Sequence, residues 1–321
     1  LGKKTIWSSG IWRRFNRRSP LNSGGDTILI NATHEAVMVD EVLENLVFKQ
    51  NGKYIDCTFG AGGHSLEILK KLGEEGKLVS IEKDKSATLK LSSDFTEDDR
   101  FELIHDSFSN LHNIFANEEI DGILIDLGIS STQLDDPNRG FSFQSNGPLD
   151  MRIDTSKGLT AAEWINSATK KEIEDVLWIL GQERASRKIA GKICDTREKN
   201  PIKSTKDLSD LIISCVFKRS KKHPATNSFR AIRMHINDEI EELQKVLEAA
   251  SYVLCCGGRL AVISFHSMED RIVKRFFQGK DRLNSKVEFK YFKEKFLKPT
   301  MNEISTNPRS RSAILRVAEK V

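Results

Sequence analysis

The chain is short of the residues that build metal or disulfide scaffolds. Its 321 residues include five cysteines, Cys57, Cys194, Cys215, Cys255 and Cys256. That is an odd number with no C-x-x-C pair, which argues against a zinc ribbon or disulfide framework and for reducing surroundings. No resident metal is expected. No stretch approaches the roughly 18 apolar residues of a membrane-spanning helix, so no membrane partner is expected either. One-sided charge is also lacking, since 50 basic and 46 acidic residues leave a net +4. Six of the bases (Lys3, Lys4, Arg13, Arg14, Arg17, Arg18) fall in the first 25 residues, which hold no acid, so 44 bases face all 46 acids in the remainder. A uniformly basic nucleic-acid binder is thereby excluded, and any phosphate-binding surface must be local. Apolar content of 38% and charged content of 30% exclude a wholly disordered chain.

Residues 1–33 differ from the rest. They carry Arg, Ser and the aromatics Trp7, Trp12 and Phe15, no acid before Asp26, and a Ser/Gly break at 22–25. This is the composition of an organelle transit peptide, with a disordered basic arm as the alternative.

Alternating α and β patterns begin near residue 53. Strands are expected at 54–58, 78–81, 101–104 and 120–126, with a helix from His64 to Leu72 after the first. Short apolar strands separated by helical stretches imply a parallel, doubly wound α/β sheet. Residues 129–158 then form a long loop rich in Asp, Gly, Pro, Asn and Ser. Helical patterns follow at about 160–196 and 204–218 without continuing the βαβ repeat, so 134–235 is expected to be an inserted helical domain, with 34–133 and 236–321 as the core. The stripe Ile236, Ile240, Leu243, Leu247, Ala250 and Leu254 predicts one helix, and Gly257-Gly258 a turn into a strand at 260–263.

Chemistry gathers at the expected strand ends. The turn Gly60-Ala61-Gly62-Gly63 would let backbone approach a ligand at a helix N-terminus. Glu82, closing the second strand, suits ribose hydroxyls. A dinucleotide enzyme would prefer a third glycine where Ser65 stands. S-adenosylmethionine accepts a looser turn, a residue for adenine after strand three (Phe108) and an acidic motif after strand four (Asp126-Leu127-Gly128). The methyl donor matches more parts than a nicotinamide cofactor does.

The strings HEAVMVDEVL, YIDCTFGAGGHS, DGILIDLGISSTQLDDPNRGFSF, GPLDMRID, HPATNSFRAIRMHINDEIEEL, GGRLAVISFHSMEDRIVKRF and NPRSRSAILRVAEK resemble the RsmH (MraW) family of small-subunit ribosomal RNA cytidine N4-methyltransferases, which has a mitochondrial branch. The resemblance covers about residues 34–319. It implies a class I S-adenosylmethionine-dependent methyltransferase fold with an inserted helical domain, and a decoding-region cytidine of small-subunit RNA, free or in an assembling subunit, as acceptor. It places Gly62, Gly63, His64, Glu82, Phe108, Asp126 and Gln133 around the donor, and Trp164 beside the target base to stack on the cytosine, with helix core as the alternative. Glu82 stands where bacterial members usually have Asp, a displacement of about 1.5 Å along one bond.

Asp126 is the candidate catalytic residue, either accepting an N4–H bond or serving only the donor. His266 is expected to be structural. A Cβ at Gly62 or Gly63 is expected to intrude on the ligand. Basic residues crowd 184–222 and 271–298, as phosphate contacts or as an ordinary solvated face, and Phe276, Phe277, Phe289, Tyr291 and Phe292 are core or stacking groups. The basic arm and the family's mitochondrial branch point to the mitochondrial matrix, with the cytoplasm as the alternative. A ribosome-assembly factor that kept the fold without catalysis is the rival function.

Overall fold

The computed structural model describes residues 36–88, 91–116, 118–216, 223–280 and 287–321. The transit-peptide expectation for 1–33, the His34-Glu35 start of the first motif, and the bases within 217–222 and 281–286 lie outside the described residues.

Among the described residues seven strands form one sheet: β1 (Lys53–Asp56), β2 (Lys77–Glu82), β3 (Phe101–His105), β4 (Ile120–Asp126), β5 (Leu254–Ser264), β6 (Phe289–Tyr291) and β7 (Ile314–Lys320). The order is β3-β2-β1-β4-β5-β7-β6. Strands β1 to β5 pair in parallel, while β7 runs antiparallel to β5 and β6 antiparallel to β7. The expected doubly wound sheet is present, and the antiparallel β6–β7 pair adds to it. Strand order reverses between β1 and β4, and ligands of such sheets bind beyond the carboxyl ends of the strands there.

Before β5 the helices are α1 (Val39–Leu46), α2 (Gly63–Lys71), the single turns α3 (Lys85–Thr88), α4 (Ser93–Thr96) and α5 (Leu111–Ile114), then α6 (Ser131–Asp135), α7 (Ala161–Ser167), α8 (Lys170–Ile179), α9 (Ser186–Arg197), α10 (Thr205–Cys215), α11 (Thr226–Ile236) and α12 (Glu239–Val253). Helices α13 (Ser267–Phe277) and α14 (Met301–Thr306) follow β5. Successive strand residues serve opposite faces. Ile123 and Ile125 of β4 pack with Leu243 and Leu247 of α12 and Val273 and Phe276 of α13. Leu124 packs on the other face with Val42 and Leu46 of α1 and Ile68 of α2. A sheet covered on both faces explains why β4 is apolar without alternation. Helices α7 to α11 gather around a second cluster, which includes Leu149, Ile165, Ile189, Leu208 and Ile232.

Three expectations change in detail. The stripe from Ile236 to Leu254 is not one helix. Ile236 closes α11, Asp238 turns the backbone at φ 52°, and α12 starts at Glu239, while Leu254 already opens β5. Gly257-Gly258 is no turn ahead of a strand but an irregularity inside β5. Partner pairing jumps there from Ile120–Leu254 to Gly122–Arg259, and Gly257 has φ 78°. The helical pattern at 160–196 breaks into α7, α8 and α9: a Thr169–Glu172 capping box starts α8, and Gln182, at φ 52°, lies between α8 and α9. Of the late aromatics, Phe276 and Phe277 are buried core with Phe289 and Tyr291 packed against them, while Phe292 lies under the Arg259 guanidinium, 3.6 Å from its ring centre.

Candidate active site

A cavity of about 370 Å³ opens at the carboxyl ends of β1, β2 and β4. Its floor begins with the turn after β1. Gly60 takes φ 55° and Gly62 φ 83°, conformations that favour glycine. The reason for the glycines differs from the expected one. A Cβ on Gly62 would lie 2.8 Å from the Phe95 ring and 2.9 Å from Phe59, inside the Phe59–Phe95–Phe101 cluster, and Gly62 does not line the cavity. A Cβ on Gly63 would lie 2.8 Å from the Ala36 Cβ, although Gly63 itself does line the cavity. The close approach is to the protein's own core and N-terminal segment. Ser65, where a dinucleotide fold has its third glycine, donates to Asp56 Oδ2 at 2.6 Å and meets Ser80 Oγ at 2.9 Å. That buried knot anchors α2 to the sheet by polar contacts instead of close backbone packing.

Glu82 lies at the end of β2 with both carboxylate oxygens held by backbone. Gly60 N–H donates to Oε2 at 2.8 Å and Asp84 N–H to Oε1 at 2.6 Å. Burial pushes its pKa up to about 7 against the pull of those two amides. Asp84, which sequence reasoning missed as a site element, accepts from Gln133 Nε2 at 2.9 Å and from Arg139 Nη1 at 2.6 Å. Burial works against its ionisation, but these partners and Ser86 hold its pKa below the usual value. Gln133 lines the cavity as expected, yet its amide is engaged at both ends, since Oε1 accepts from Ser130 N–H at 3.0 Å. It shapes the wall rather than offering a free polar group. Arg139 also donates from Nη2 to the carbonyls of Arg152 and Ile153, each at 2.9 Å, so the GPLDMRID loop is fastened to the donor side. Asn237 holds the same loop, donating to Met151 O and accepting from Ile153 N–H, each at 2.7 Å.

Asp126 ends β4, its N–H held at 2.8 Å by Thr58 Oγ1. His64, in the first turn of α2, brings Nε2 to 3.6 Å from Asp126 Oδ2. Asp126 Oδ1 and His64 Nε2 are both buried without a hydrogen-bond partner. Burial works to lower the His64 pKa, but Asp126 and Asp56 outweigh it and raise the group above its ordinary value. Phe108, half-buried after β3, lines the cavity too. Its flanks are pinned to α12, where Glu242 accepts from the Ser107 and Ser109 hydroxyls.

The opposite wall comes from α11, the GPLDMRID loop, the residues after β5 and the first turn of α13, through Ile153, Arg230, Arg233, Phe265, His266 and Glu269. His266 is structural, as expected. It caps α13, with Nδ1 accepting from Glu269 N–H at 3.5 Å and Nε2 lying 2.8 Å from Glu269 Oε1. Trp164 does not line the cavity; it belongs to the buried cluster of the helices between β4 and β5, its ring 4.6 Å from that of His235. Among the described residues no group of three His, Cys, Asp or Glu side chains is set to hold a metal ion.

A glycine turn after β1, acids ending β2 and β4, an aromatic after β3 and a β7 strand inserted antiparallel beside β5 define a class I methyltransferase core. The MraW methylase family model matches residues 31–321, and this chain belongs to that family. Similar proteins include ribosomal RNA small subunit methyltransferase H of Coxiella burnetii (strain RSA 493 / Nine Mile phase I), 44% identical over 303 residues, 90% of this chain and 99% of that protein. The protein of the same name from Stenotrophomonas maltophilia (strain K279a) is 47% identical over 301 residues, 90% of this chain and 94% of that one. Among solved structures, an rRNA methylase from Streptococcus thermophilus aligns at 16% identity and a TM-score of 0.38, covering 88% of this chain and 93% of that one, a likeness too loose to bear on function.

Proposed function

We propose that this chain transfers a methyl group from S-adenosylmethionine to N4 of a cytidine in small-subunit ribosomal RNA. One observation carries the reading. A buried carboxylate oxygen without a partner, Asp126 Oδ1, lies at the end of β4 in a cavity whose other walls hold Glu82, Phe108 and Arg230.

The cavity fits the donor, since Glu82 keeps outer lone pairs for ribose hydroxyls beyond its two backbone amides, and Phe108 offers an apolar face for adenine. The bound donor supplies a methyl group already activated by the sulfonium charge. The acceptor is the weak partner, because the cytosine N4 lone pair is delocalised into the ring. Asp126 counters this by accepting an N4–H bond, which draws density onto N4 and fixes its line of approach at about 3–3.5 Å. His64, with Nε2 3.6 Å from Asp126 Oδ2, orients that carboxylate.

The bases of α9 support an RNA-facing insert, since Arg184 just ahead of it and Arg187, Lys188 and Lys192 along it are exposed. The composition of residues 1–33 supports action in the mitochondrial matrix. The test is tritium transfer from labelled donor to purified small subunits, with the methylated base identified as N4-methylcytidine. Asp126→Ala should lower the rate at least about 100-fold, the size of effect seen when one such polar contact is removed from an active site. Rates near those of the parent would overturn the placement of the site. Tight subunit binding with no transfer by the parent would make the chain an assembly factor instead.

A further inference from the structure

Four cationic Lys or Arg side chains line the cavity, and three already have carboxylate partners. Lys83 lies 3.6 Å from Glu242, Arg233 makes a two-pronged contact with Glu239 at 2.8 Å and 2.8 Å, and Arg309 meets Asp135 at 2.6 Å. Arg230 is the exception. It stands one turn before Arg233 on α11, half-buried. Its one hydrogen bond among the described residues runs from Nη2 to Gly181 O at 3.1 Å, and its Nε is buried with no partner. A guanidinium held out of water with donors unspent is costly unless a ligand uses them. The neighbouring Arg233 adds repulsion to that cost.

The acids of the cavity show the complementary pattern. Glu82 gives its oxygens to two backbone amides, and Glu269 gives its own to Phe265 N–H, His266 N–H and the His266 ring. Asp126 alone keeps a buried oxygen free. Beside the ring nitrogens of His64 and His266, the buried polar side-chain atoms lining the cavity without a partner are one acceptor, Asp126 Oδ1, and one guanidinium donor, Arg230 Nε. The pairing edge of cytosine presents the matching set: the N4 amino group as donor, then N3 and O2 as acceptors. Uracil presents an acceptor at O4 and a donor at N3, which would set N–H against N–H and oxygen against carboxylate.

We propose that Arg230 reads the acceptor base, donating to the N3/O2 edge of the target cytosine while Asp126 accepts from N4, so that cytosine is admitted and uracil rejected. The proposal rests on the methyl-transfer reading above and adds the residue that selects the base. A side chain poised over the RNA backbone instead would bind phosphate and be indifferent to the base.

The test is nucleoside binding by calorimetry or NMR to the whole protein loaded with S-adenosylhomocysteine. The probes are cytidine, uridine, 3-deazacytidine (which keeps the amino group but loses the N3 acceptor) and ribose 5-phosphate. The parent should prefer cytidine over both other nucleosides by roughly tenfold to a hundredfold, the usual worth of a two-pronged base contact. In Arg230→Gln, and to a lesser degree in Arg230→Lys, that preference should shrink to within about threefold, with S-adenosylhomocysteine affinity unchanged as the mark of an intact fold.

The parent arm needs no variant, so a misfolded substitution cannot hide the answer. Equal binding of cytidine and 3-deazacytidine by the parent would overturn the proposal, as would a preference that survives in both variants. Variants that lose ribose 5-phosphate binding while keeping the parent's preference among the three nucleosides would assign Arg230 to phosphate and overturn it too. Failure of the methyl-transfer reading shows elsewhere, as absence of N4-methylcytidine in subunits treated with the parent.

Discussion

The two walls of the cavity are built by opposite means. On the sheet wall, backbone fixes the chemistry: amides of Gly60 and Asp84 clamp Glu82, and Thr58 and the end of β4 fix Asp126. On the helical wall, long side chains reach in from α11, which supplies Arg230 and Arg233, and the GPLDMRID loop is tied down by Arg139 and Asn237. Strand ends are set by sheet register and tolerate little adjustment. Helix-borne side chains take their positions from distant partners. The donor half should therefore be rigid, and the acceptor half should depend on the few contacts that join it to the sheet.

The contact that tests this most severely is Arg139 with Asp84. Arg139→Ala removes an ion pair at 2.6 Å between largely buried groups and frees the carbonyls of Arg152 and Ile153. Breaking one partner of a buried pair costs about 3–5 kcal/mol, so urea unfolding should show a loss of that order. Because the Asp84 amide holds Glu82, donor affinity should weaken together with acceptor binding. Unchanged donor affinity would mean that the two walls are independent and would break the comparison.

A second substitution separates fold from chemistry on the sheet wall. Gly62→Ala places a Cβ at φ 83° and 2.8 Å from Phe95. Left-handed backbone costs an alanine about 1–2 kcal/mol, and overpacking adds about 1–3 kcal/mol. The thermal midpoint should fall by several degrees, while S-adenosylmethionine affinity below that midpoint stays within about threefold. A large loss of affinity in a protein of parental stability would restore the view that this glycine faces the ligand.

The same contrast explains what could be read from the sequence. The first four strands, the acids of β2 and β4 and the turn after β1 were legible because each is, or sits at a fixed offset from, a short apolar run. The β6–β7 pair was not, since Phe289–Tyr291 is too short to show alternation and Ile314–Lys320 looked like motif more than strand. Asp238 hid a helix break inside a continuous apolar stripe, because periodicity carries no sign of φ. Arg230 was invisible as a site residue. One arginine among many on a helix declares itself only when its neighbours prove to be paired and it does not.

The smallest effect concerns two buried carboxylates that answer burial differently. Glu269 has His266 and Arg233 nearby, and although burial opposes ionisation, their charge holds its pKa below the usual value. Glu82 has only backbone amides as donors, and burial wins, raising it to about 7 from 4.5. A carboxyl that keeps its proton in the folded state and loses it in the unfolded state makes the native protein the better proton binder between those values. Stability of the donor-free protein should therefore fall as pH rises from about 4.5 to 7, by at most about 1.4 kcal/mol per pH unit from this group, and then level off. Asp56 is raised by burial, and His64 is raised by Asp126 against its own burial, so His64 stability is likewise lost as pH climbs through its folded value. Both add to the same slope. Asp84, Asp150 and Glu269, whose values are lowered, lose their contributions only as pH falls below the ordinary carboxylate range and so add nothing in this window. Urea unfolding of the parent and of Glu82→Gln at pH 5, 6, 7 and 8 isolates the share of Glu82. The variant should show a shallower fall between pH 5 and 7 and little difference in slope above it. The ionised form is the stronger acceptor for ribose hydroxyls, so donor affinity of the parent should rise over the same interval and that of Glu82→Gln should stay flat. Parallel stability curves for the two proteins would show that Glu82 ionises as it does in the unfolded chain, and that the backbone amides of the sheet wall stabilise the bare charge unaided.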